Sequence, residues 1–414
     1  MPSLPEPLLL LYYFLAAISI WLGFLSLRGG VRFVRYLQTE AGKGTPPFTP
    51  LVSVFVPCRG LDEGLKENIS AIFGQDYPAF EIVFVTDRSD DPALGVIDEA
   101  RRSFAKESGP TMQVVIAGPA TDRGQKVHNL RVAVSWADPQ SEVFVFVDTD
   151  ALTSASWLRS LVAPLQDESL GAATGYRWFV PRSGGFASHL RAVWNSSIAS
   201  ALGAEEQKNF CWGGSTAIRR ETFQQTKVVD YWRGTVSDDF AITNALRAGA
   251  LRIKFVPQCL VPSVEDCGWR ELIEFTNRQL IITRAYAAHL WKAVLFGSVI
   301  FTLVFFGGFA LVFTRAALGL SFVTPLVLLL MIFSMGAMKA HLRVSAVRLI
   351  IPDRRLRSLG TNLAHIFLWP FASLLYLCNA LAAAFSRRIT WRGITYELKS
   401  PNETVIIRDD GEEL

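Results

Sequence analysis

The chain has 414 residues, of which 50% are hydrophobic and only 19% are charged, and its formal net charge is +4. So apolar a composition excludes an ordinary soluble protein, and the length accommodates one large domain or two. The basic residues that cause the small positive charge gather next to apolar segments. They therefore favour anionic lipid head groups over nucleic acid as the binding partner.

Four long apolar segments account for the excess of hydrophobic residues. They cover residues 8–27, 293–313, 318–338 and 363–385, and none contains Asp, Glu, Lys or Arg. Each is long enough to cross the hydrocarbon core of a bilayer, which is about 30 Å thick. The first segment is not typical of a cleavable signal peptide, because no Lys or Arg precedes it. We therefore expect an integral membrane protein with one N-terminal and several C-terminal transmembrane helices.

Basic residues predict the orientation of these segments. Arg28, Arg32 and Arg35 directly follow the first segment, and a strongly basic loop follows the third. Because Lys and Arg concentrate in cytoplasmic loops, the region between the first two segments is predicted to lie on the cytoplasmic face. The last segment, 363–385, favours a full crossing, but Pro370 near its middle leaves a re-entrant hairpin open.

Residues 45–268 are predicted to form one α/β domain. Helical patterns alternate in its first half with four apolar runs typical of buried strands, at 51–56, 81–86, 112–117 and 142–147. This alternation indicates a doubly wound, mostly parallel, Rossmann-like sheet. The second half is less regular, and we interpret residues 171–180 as a pair of strands.

Two carboxylates follow the last of these runs, at Asp148 and Asp150. In open α/β sheets, ligands bind at the carboxyl ends of the strands. Two carboxylates one residue apart present hard oxygen ligands suited to Mg²⁺ or Mn²⁺. A polar turn that binds nothing is the alternative.

Further carboxylates stand at the ends of other predicted elements. Asp87 follows the strand at 81–86 and can accept a hydrogen bond from a nucleobase N–H, or it can cap the next helix. Asp238 and Asp239 begin a predicted helix, with Ser237 as its N-cap. One of the two is suited to act as a general base, because adjacent like charges raise a pKa. Helix capping and dipole compensation would explain the same pair without chemistry.

Two polar or aromatic motifs between these carboxylates are candidate substrate contacts. Lys126 and Asn129 lie on the helix predicted before the Asp148 strand, where a lysine can contact a phosphate as a point charge. Trp212 precedes Gly213 and Gly214, a combination that lets a sugar ring stack on the indole while the backbone approaches closely. A surface lysine and an ordinary tight turn are the alternatives.

The C-terminal third contains two further predicted segments. Residues 269–292 form an amphipathic pattern that leads directly into an apolar segment, which indicates an interfacial helix. Residues 386–414 are left as a C-terminal tail. No pattern in the sequence specifies an oligomeric state.

Taken in order, these motifs resemble the GT-A-fold inverting glycosyltransferases of the family 2 type, and within them the ceramide glucosyltransferase branch, family 21. The resemblance extends from residue 8 to about residue 396 and includes the layout of membrane segments on both sides of the α/β domain. The motifs that carry it are Asp87, Gln125-Lys126-Val127-His128-Asn129-Leu130, Asp148-Thr149-Asp150, Gly213-Gly214, Ser237-Asp238-Asp239 and Trp391-Arg392-Gly393-Ile394.

The resemblance implies a role for each matched residue. Asp87 would bind the uracil of a UDP-sugar, and Asp148 with Asp150 would hold the divalent metal, Mg²⁺ or Mn²⁺, that bridges the diphosphate. Asp239, with Asp238 beside it, would deprotonate the acceptor hydroxyl for an in-line displacement that inverts an α-linked donor to a β-glycoside. The remaining donor contacts implied are Lys126, Asn129, Trp212, Gly213, Gly214 and Arg278.

One stretch departs from the family pattern. Family members usually carry Gln or Arg, two further residues and then Arg-Trp on the interfacial helix. Here Arg278 matches the first position, but Ile281 and Ile282 replace the Arg-Trp pair that would contact the diphosphate and the acceptor. Arg284 is a candidate substitute, with an interfacial arginine as the alternative.

The resemblance predicts a membrane-bound hexosyltransferase that moves glucose from a UDP-sugar to a lipid hydroxyl, such as that of ceramide. A diacylglycerol, a hopanoid or a polyprenyl phosphate is an alternative acceptor, and for a hopanoid the donor would be UDP-N-acetylglucosamine. A processive polysaccharide synthase fits less well, because few helices follow the α/β domain. A catalytically silent protein that binds nucleotide-sugar is the non-enzyme alternative.

Overall fold

The computed structural model describes residues 6–44, 46–104 and 109–409, which form two compact units. Residue 45, the predicted start of the α/β domain, and residues 410–414 of the predicted tail lie outside the described residues. Unit 1 contains Met1–Tyr36, Pro181–Ala201 and Asp266–Ser386. Unit 2 contains Leu37–Val180, Leu202–Glu265 and Arg387–Leu414.

The secondary structure comprises long helices in unit 1 and alternating strands and shorter helices in unit 2. The α-helices are α1 Glu6–Ala41, α2 Leu65–Phe73, α3 Ala93–Phe104, α4 Gln125–Ala133, α5 Trp157–Val162, α6 Phe186–Ala199, α7 Arg220–Gln225, α8 Val228–Tyr231, α9 Asp238–Ala248, α10 Trp269–Tyr286, α11 Ala288–Ala317, α12 Val323–Val347 and α13 Leu359–Phe385. The strands are β1 Val52–Pro57, β2 Phe80–Thr86, β3 Thr111–Ile116, β4 Val143–Phe146, β5 Leu170–Val180, β6 Thr216–Arg219, β7 Arg252–Val264, β8 Arg388–Trp391, β9 Ile394–Ser400 and β10 Glu403–Asp409.

A seven-stranded sheet forms the core of unit 2. Its order is β3-β2-β1-β4-β6-β5-β7, and only β6 runs antiparallel to its neighbours. Strand β4 is fully buried because apolar side chains cover both of its faces, including Phe144 and Phe146, which pack against Phe55 and Phe223. Such two-sided burial is typical of a parallel sheet between helices. The predicted fold class is confirmed.

The interpretation of residues 171–180 as two strands is wrong. They belong to the single strand β5, which pairs in parallel with β7 and shifts register between Thr174 and Tyr176. Gly175 lies at this shift, where a Cβ would come within 2.1 Å of the Cys259 carbonyl oxygen. Gly175 therefore permits a close approach between two strands.

The predicted tail contains a second sheet. Strands β8, β9 and β10 are antiparallel in the order β10-β9-β8 and belong to unit 2. The Tyr396 hydroxyl accepts a hydrogen bond from the Gln125 amide at 3.1 Å, and the Thr404 hydroxyl donates to the Gly234 carbonyl at 2.6 Å. These contacts join the last strands to the α/β domain.

Four helices of the described chain are long and apolar enough to cross a membrane: α1, α11, α12 and α13. Helices α1, α11 and α13 contain the predicted segments 8–27, 293–313 and 363–385, whereas α12 begins five residues later than the predicted segment 318–338 because residues 318–322 connect it to α11. The four helices agree with an integral membrane protein. The predicted interfacial helix ends earlier than expected, at Tyr286, because Ala287 leaves the helical conformation and α11 begins directly after it. Residues 288–292 are thus the first turn of α11.

Helix α13 packs against two different kinds of neighbour within unit 1. In its first half, Phe367 contacts Phe333 of α12 and Asn362 accepts a hydrogen bond from Arg348. In its second half, Tyr376 shares a hydrogen bond with Ser197 of α6, and the Asn379 side chain donates to Thr276 of α10. Pro370 separates the halves and removes a helical hydrogen bond where the partners change.

Chain connectivity limits the number of membrane crossings. Residues up to 265 and residues from 387 onward belong to the same compact unit, and only α11, α12 and α13 among the candidate spans lie between them. A chain that returns to the same side crosses an even number of times. Because residues 318–322 join α11 to α12 as a short connection, these two helices form the natural pair. If these two cross, α13 does not complete a crossing of its own. It is one continuous helix, Leu359–Phe385, without the reversal that a re-entrant hairpin requires, and its full crossing stays a prediction.

We expect the β8–β10 sheet and the α/β domain to face the same side of the membrane. A protease site inserted after Ser400 and another in loop 318–322 would be tested in sealed vesicles of known orientation. The first should be cut from the side on which the α/β domain is digested, and the second from the opposite side. Cleavage of the Ser400 insertion from the side of loop 318–322 would show that α13 crosses.

Candidate active site

Carboxylates from separate strands meet at one edge of the seven-stranded sheet. Asp87 follows β2 and Asp148 lies just beyond β4, and both strands pair in parallel with β1. The loop after β1 fastens this edge, because Asp62 accepts a hydrogen bond from the Thr149 hydroxyl at 2.8 Å and the Asn68 side chain donates to the Thr149 carbonyl at 2.9 Å. The parallel sheet thus brings the sequence-predicted Asp87 and Asp148 to the same side.

Asp87 is buried and paired with a base. It is 5% exposed, and Arg59 Nη1 donates to its Oδ2 at 2.7 Å. The second oxygen receives only a long contact from the Thr86 hydroxyl, at 3.4 Å. A carboxylate in this state retains acceptor capacity for a ligand N–H.

Lys126 joins two groups of carboxylates. Its Nζ lies 2.6 Å from Asp148 Oδ1 and 3.1 Å from Asp238 Oδ1. Burial alone would lower the pKa of Lys126, but the attraction of Asp148 and Asp238 outweighs burial and raises it. The side chain is therefore a permanent ammonium ion between the predicted metal ligands and the predicted base.

Arg177 of β5 neutralises the other predicted metal ligand. Its Nη2 donates to both oxygens of Asp150, at 3.0 and 2.9 Å, and lies 4.0 Å from Asp148 Oδ2. Its guanidinium group stands over the Trp212 ring, 5.1 Å from the centroid. Burial would raise the pKa of Asp150, but Arg177 holds it below its ordinary value, so Asp150 stays ionised.

The adjacent carboxylates at the start of α9 have different environments. Asp238 is 2% exposed, and its Oδ2 finds no hydrogen-bond partner among the described residues. Burial raises the pKa of Asp238 to about 6, with Lys126 opposing the rise and Asp239 adding to it. Asp239 is half-buried and accepts hydrogen bonds from the Ser237 hydroxyl and from the Phe240 amide, the latter at 2.7 Å. The predicted N-cap role of Ser237 is confirmed, since its hydroxyl accepts from the same amide.

The glycine pair permits close packing at the centre of the site. A Cβ on Gly213 would lie 2.3 Å from Asp238 Oδ2 and 2.7 Å from Lys126 Nζ. A Cβ on Gly214 would collide with the Trp212 ring at 2.3 Å. Lys126 and Asp238 can therefore meet beneath this turn because residue 213 has no side chain, and the glycine at 214 leaves room for the Trp212 ring.

Two predicted donor contacts have other partners among the described residues. Asn129 is buried and accepts a hydrogen bond from Gln125 Nε2 at 2.7 Å, and Gln125 in turn holds the loop at Gly118 and Ala120. Arg278 belongs to unit 1, where its guanidinium group lies over the Phe275 ring at 5.6 Å.

The departure from the family pattern has a packing role within unit 1. Ile281 and Ile282 are each only 6% exposed. Arg284, the candidate substitute, donates a hydrogen bond to the Ala383 carbonyl and lies 5.3 Å from the centre of the Trp291 ring. Arg284 thus makes its contacts within unit 1, and its role as a substitute for the missing arginine stays a prediction.

Arg392 is a site residue without a role in the sequence analysis. It occupies the turn between β8 and β9 with φ of 55°, and it pairs bidentately with Asp62 at 2.6 and 2.7 Å. Asp148 and Asp150 also lie within its electrostatic reach. The sequence offered one signal for Arg392, the motif Trp391-Arg392-Gly393-Ile394. This motif indicates similarity to the family, but it does not show that Arg392 lies near Asp62 or Asp148. For Arg177, the signal that could have predicted a site residue was a charged side chain within an otherwise apolar strand.

The charge balance of the site fits a divalent cation. Its carboxylates outnumber its bases by two, with Asp62, Asp87, Asp148, Asp150, Asp238 and Asp239 against Arg59, Lys126, Arg177 and Arg392. Among the described residues, no three His, Cys, Asp or Glu side chains gather as a complete metal cage. Mg²⁺ usually takes only one or two protein carboxylates and completes its shell with water and substrate phosphates. Asp148 and Asp150 suit that mode of binding.

Comparisons with known proteins identify the family of the chain. A sequence profile described as Glycosyl transferase family 21 matches residues 11–404. A hyaluronan synthase from Streptococcus pyogenes is 28% identical over 194 residues, which cover 42% of this chain and 44% of that protein. A ceramide glucosyltransferase from Komagataella phaffii is 28% identical over 88 residues, which cover 20% of this chain and 17% of that protein. The chain thus spans less than half the length of these curated relatives.

Solved structures give more distant similarities. A mannosyltransferase from Pyrobaculum calidifontis, in complex with GDP-Man and Mn²⁺, has 18% sequence identity and a TM-score of 0.49, with 90% of this chain and 98% of that chain covered. Glucosyl-3-phosphoglycerate synthase from Mycobacterium tuberculosis, in complex with Mn²⁺ and UDP-glucose, has 14% identity and a TM-score of 0.35, with 62% and 83% covered.

Replacement of Arg392 by alanine should weaken UDP binding about tenfold, because one cation near Asp148 and Asp150 is lost where a diphosphate would bind. The binding constant of UDP with Mn²⁺ would be measured by calorimetry. Arg388→Ala is the matched control, since Arg388 is an exposed arginine of the same hairpin. Equal affinities of the two variants would exclude Arg392 from the site.

Titration of Asp238 should make stability depend on pH. Its folded-state pKa of about 6 lies above its ordinary value of 3.8, so the fold favours the protonated acid. The stability of the wild type relative to Asp238→Asn should therefore be highest below pH 4 and fall by about 1–3 kcal/mol as the pH rises to 6. Thermal unfolding in detergent between pH 4 and 8 would measure this difference as a shift of a few degrees.

Asp230→Asn serves as the comparison for this measurement, because Asp230 is exposed and pairs only with nearby Arg233 at 3.1 Å among its described contacts. This variant should follow the wild type at every pH. A constant offset between wild type and Asp238→Asn from pH 4 to 8 would contradict the assignment of the raised pKa.

Proposed function

The chain belongs to glycosyl transferase family 21, and we propose that it transfers a hexose, glucose in the first place, from a UDP-sugar to a lipid hydroxyl such as that of ceramide. The observation that supports this most directly is the Lys126 bridge, which joins Asp148 to Asp238 at the carboxyl edge of the sheet. It connects the group suited to a diphosphate with the group suited to deprotonate an alcohol. The four long apolar helices suit an acceptor that stays in the membrane.

In this proposal the donor binds across the strand ends on the cytoplasmic face. Asp87 accepts the uracil N–H, and Lys126, Arg177 and Arg392 contribute positive charge around the diphosphate. Trp212 lies beside the position of the sugar. The other donor contacts implied by the family resemblance, Asn129, Gly213, Gly214 and Arg278, remain part of the proposal.

The divalent metal proposed here would be held by Asp148 and Asp150. When bound, it neutralises the charge that develops on the departing diphosphate. Lys126 contacts Asp148, and Arg177 contacts Asp150 and holds the pKa of Asp150 below its ordinary value against the effect of burial.

Asp239 is the proposed general base. It takes the proton of the acceptor hydroxyl while the hydroxyl oxygen attacks the anomeric carbon from the face opposite UDP, which inverts the configuration. Among the pair at the start of α9 it is the accessible carboxylate, whereas Asp238 is buried against Lys126. Asp238 adds negative charge next to the position where the proton arrives and thereby favours its transfer.

The identity of the acceptor is the part of the proposal that rests most on family resemblance. The amphipathic helix α10 leads into α11, as expected if the acceptor head group stays at the interface. A hopanoid that receives N-acetylglucosamine, or another lipid hydroxyl, is compatible with the same geometry. The buried Ile281 and Ile282, in place of Arg-Trp, favour a second candidate: a protein that binds nucleotide-sugar without transferring it.

Replacement of Asp239 by asparagine should abolish transfer while UDP binding persists. Loss of a general base lowers turnover by about 10²–10⁴-fold, and the substitution preserves size and most hydrogen bonds. Release of UDP from UDP-glucose would be followed in the presence of Mn²⁺ and ceramide. Asp230→Asn, on the neighbouring helix α8, should retain wild-type turnover.

A panel of donors and acceptors would separate the candidate functions. Mass spectrometry of lipid products after incubation with UDP-glucose or UDP-N-acetylglucosamine reports the sugar and the lipid together. UDP binding without product from any ceramide, diacylglycerol, hopanoid or polyprenyl phosphate would favour the silent nucleotide-sugar-binding protein. Equal turnover of Asp239→Asn and wild type would refute the assignment of the base.

A further inference from the structure

Unit 1 contains a buried arginine whose charge the described residues do not neutralise. Arg343 lies on α12 and is 5% exposed, and its Nε and Nη1 atoms have no hydrogen-bond acceptor among the described residues. A buried guanidinium group without acceptors is costly, and in a membrane segment such a residue usually serves a function.

Two further side chains with basic groups lie near Arg343. Lys339 lies one helical turn earlier, and its Nζ donates to the Ser26 hydroxyl at 2.6 Å. Gly30 permits this contact, since a Cβ there would lie 3.1 Å from Cγ of Lys339. His365 of α13 is 1% exposed and lies within electrostatic reach of Arg343.

The described carboxylates of unit 1 do not supply the missing counter-charge. Among the described residues, Tyr376 and His365 lie within electrostatic reach of Arg343, and Arg343 lies within reach of Lys339, but no carboxylate does. Asp353 pairs with Arg355, and Asp266 accepts the backbone N–H groups of residues 182–184. An anion from outside the chain would satisfy the site.

We propose that Lys339, Arg343 and His365 bind the phosphate group of a membrane lipid. The planar guanidinium group matches phosphate oxygens bidentately, and Lys339 adds a point charge beside it. Basic pockets between transmembrane helices at the cytoplasmic side are suited to phosphorylated head groups. Arg343 and Lys339 lie in the last third of α12, before the basic loop that is predicted to be cytoplasmic.

A nearby groove accommodates the hydrocarbon part of such a lipid. A cavity of about 230 Å³ between α11 and α12 has a purely apolar lining of Phe305, Phe309, Leu326, Leu329, Leu330 and Phe333. Phe333 precedes Arg343 by ten residues, which places it about 15 Å away along the helix axis. That is the spacing between a lipid phosphate and the middle of its chain.

Lipid retention by the full-length protein would test this site without any sugar donor. Native mass spectrometry would compare dioleoyl phosphatidic acid and undecaprenyl phosphate with dioleoyl phosphatidylcholine as added probes. The wild type should retain the two phosphomonoester lipids preferentially. Arg343→Leu should weaken their retention about tenfold. Arg343→Lys should give an intermediate retention, because lysine keeps the positive charge but lacks the bidentate geometry of the guanidinium group.

Arg354→Leu is the matched control, because Arg354 is an exposed arginine in the basic loop that follows α12. Loss of retention in Arg343→Leu but not in Arg354→Leu supports the site. Equal loss of lipid retention in Arg343→Leu and Arg354→Leu overturns the site. Lipid retention at the wild-type level in both Arg343→Leu and Arg343→Lys also overturns it. Failure of glycosyl transfer leaves this result unaffected, since no UDP-sugar is present.

Addition of UDP-glucose and Mn²⁺ then identifies the source of the phosphate. A gain of one hexosyl residue by bound undecaprenyl phosphate supports the site as that of a phosphorylated acceptor. An unchanged mass supports it as the site of a phospholipid that stays bound without reacting.

Discussion

The ion pairs of Lys126 hold the candidate site together. One buried ammonium group joins the loop after β4 to the start of α9, through Asp148 and Asp238. Asp238 is buried, and its ionised form would be far less favourable without this ion pair, because an isolated buried charge costs far more than a paired one. The contact also requires a glycine at position 213, since any side chain there would occupy the space between the ions.

The same pairing explains how a site rich in acids can receive an anionic substrate. Arg59, Lys126, Arg177 and Arg392 each already contact a carboxylate, yet the network still has two more acids than bases. A diphosphate alone would increase the negative charge of the site. A divalent metal alone would neutralise the two excess carboxylates but not the diphosphate. On the proposed function, metal and diphosphate bind best together, because each supplies charge that the other needs.

Local patterns in the sequence were sufficient for the parallel half of the sheet. Apolar runs that end in Asp87 and Asp148, and the cap at Ser237, depend on neighbouring residues and therefore appear as short motifs. The β8–β10 sheet depends instead on contacts such as those of Arg392 with Asp62, residues 330 positions apart. Strand β8 has only four residues, too few for a clear alternation, and its partners cannot be read from composition.

Arg177 and Gly175 show a second limit. A charge and a glycine inside β5 each oppose a strand when judged locally, and the sequence analysis divided this strand in two. In the folded protein Arg177 is stabilised by Asp150, and Gly175 is required by the carbonyl of Cys259. Both residues make sense only when the neighbouring chain is known, as is common where a strand contributes to a binding site.

The two units differ in the charge that they bury, and so they offer different environments to phosphate. In unit 2, acidic side chains predominate at the sheet edge. A phosphate binds favourably there only if a metal binds with it or if basic side chains leave their carboxylate partners. In unit 1, Arg343 and Lys339 lie among apolar helices without a described carboxylate in electrostatic reach, so a lipid phosphate is attracted directly. A membrane protein that handles both a soluble diphosphate and a lipid benefits from this difference, because a metal-dependent site and a metal-independent site do not compete for the same ligand.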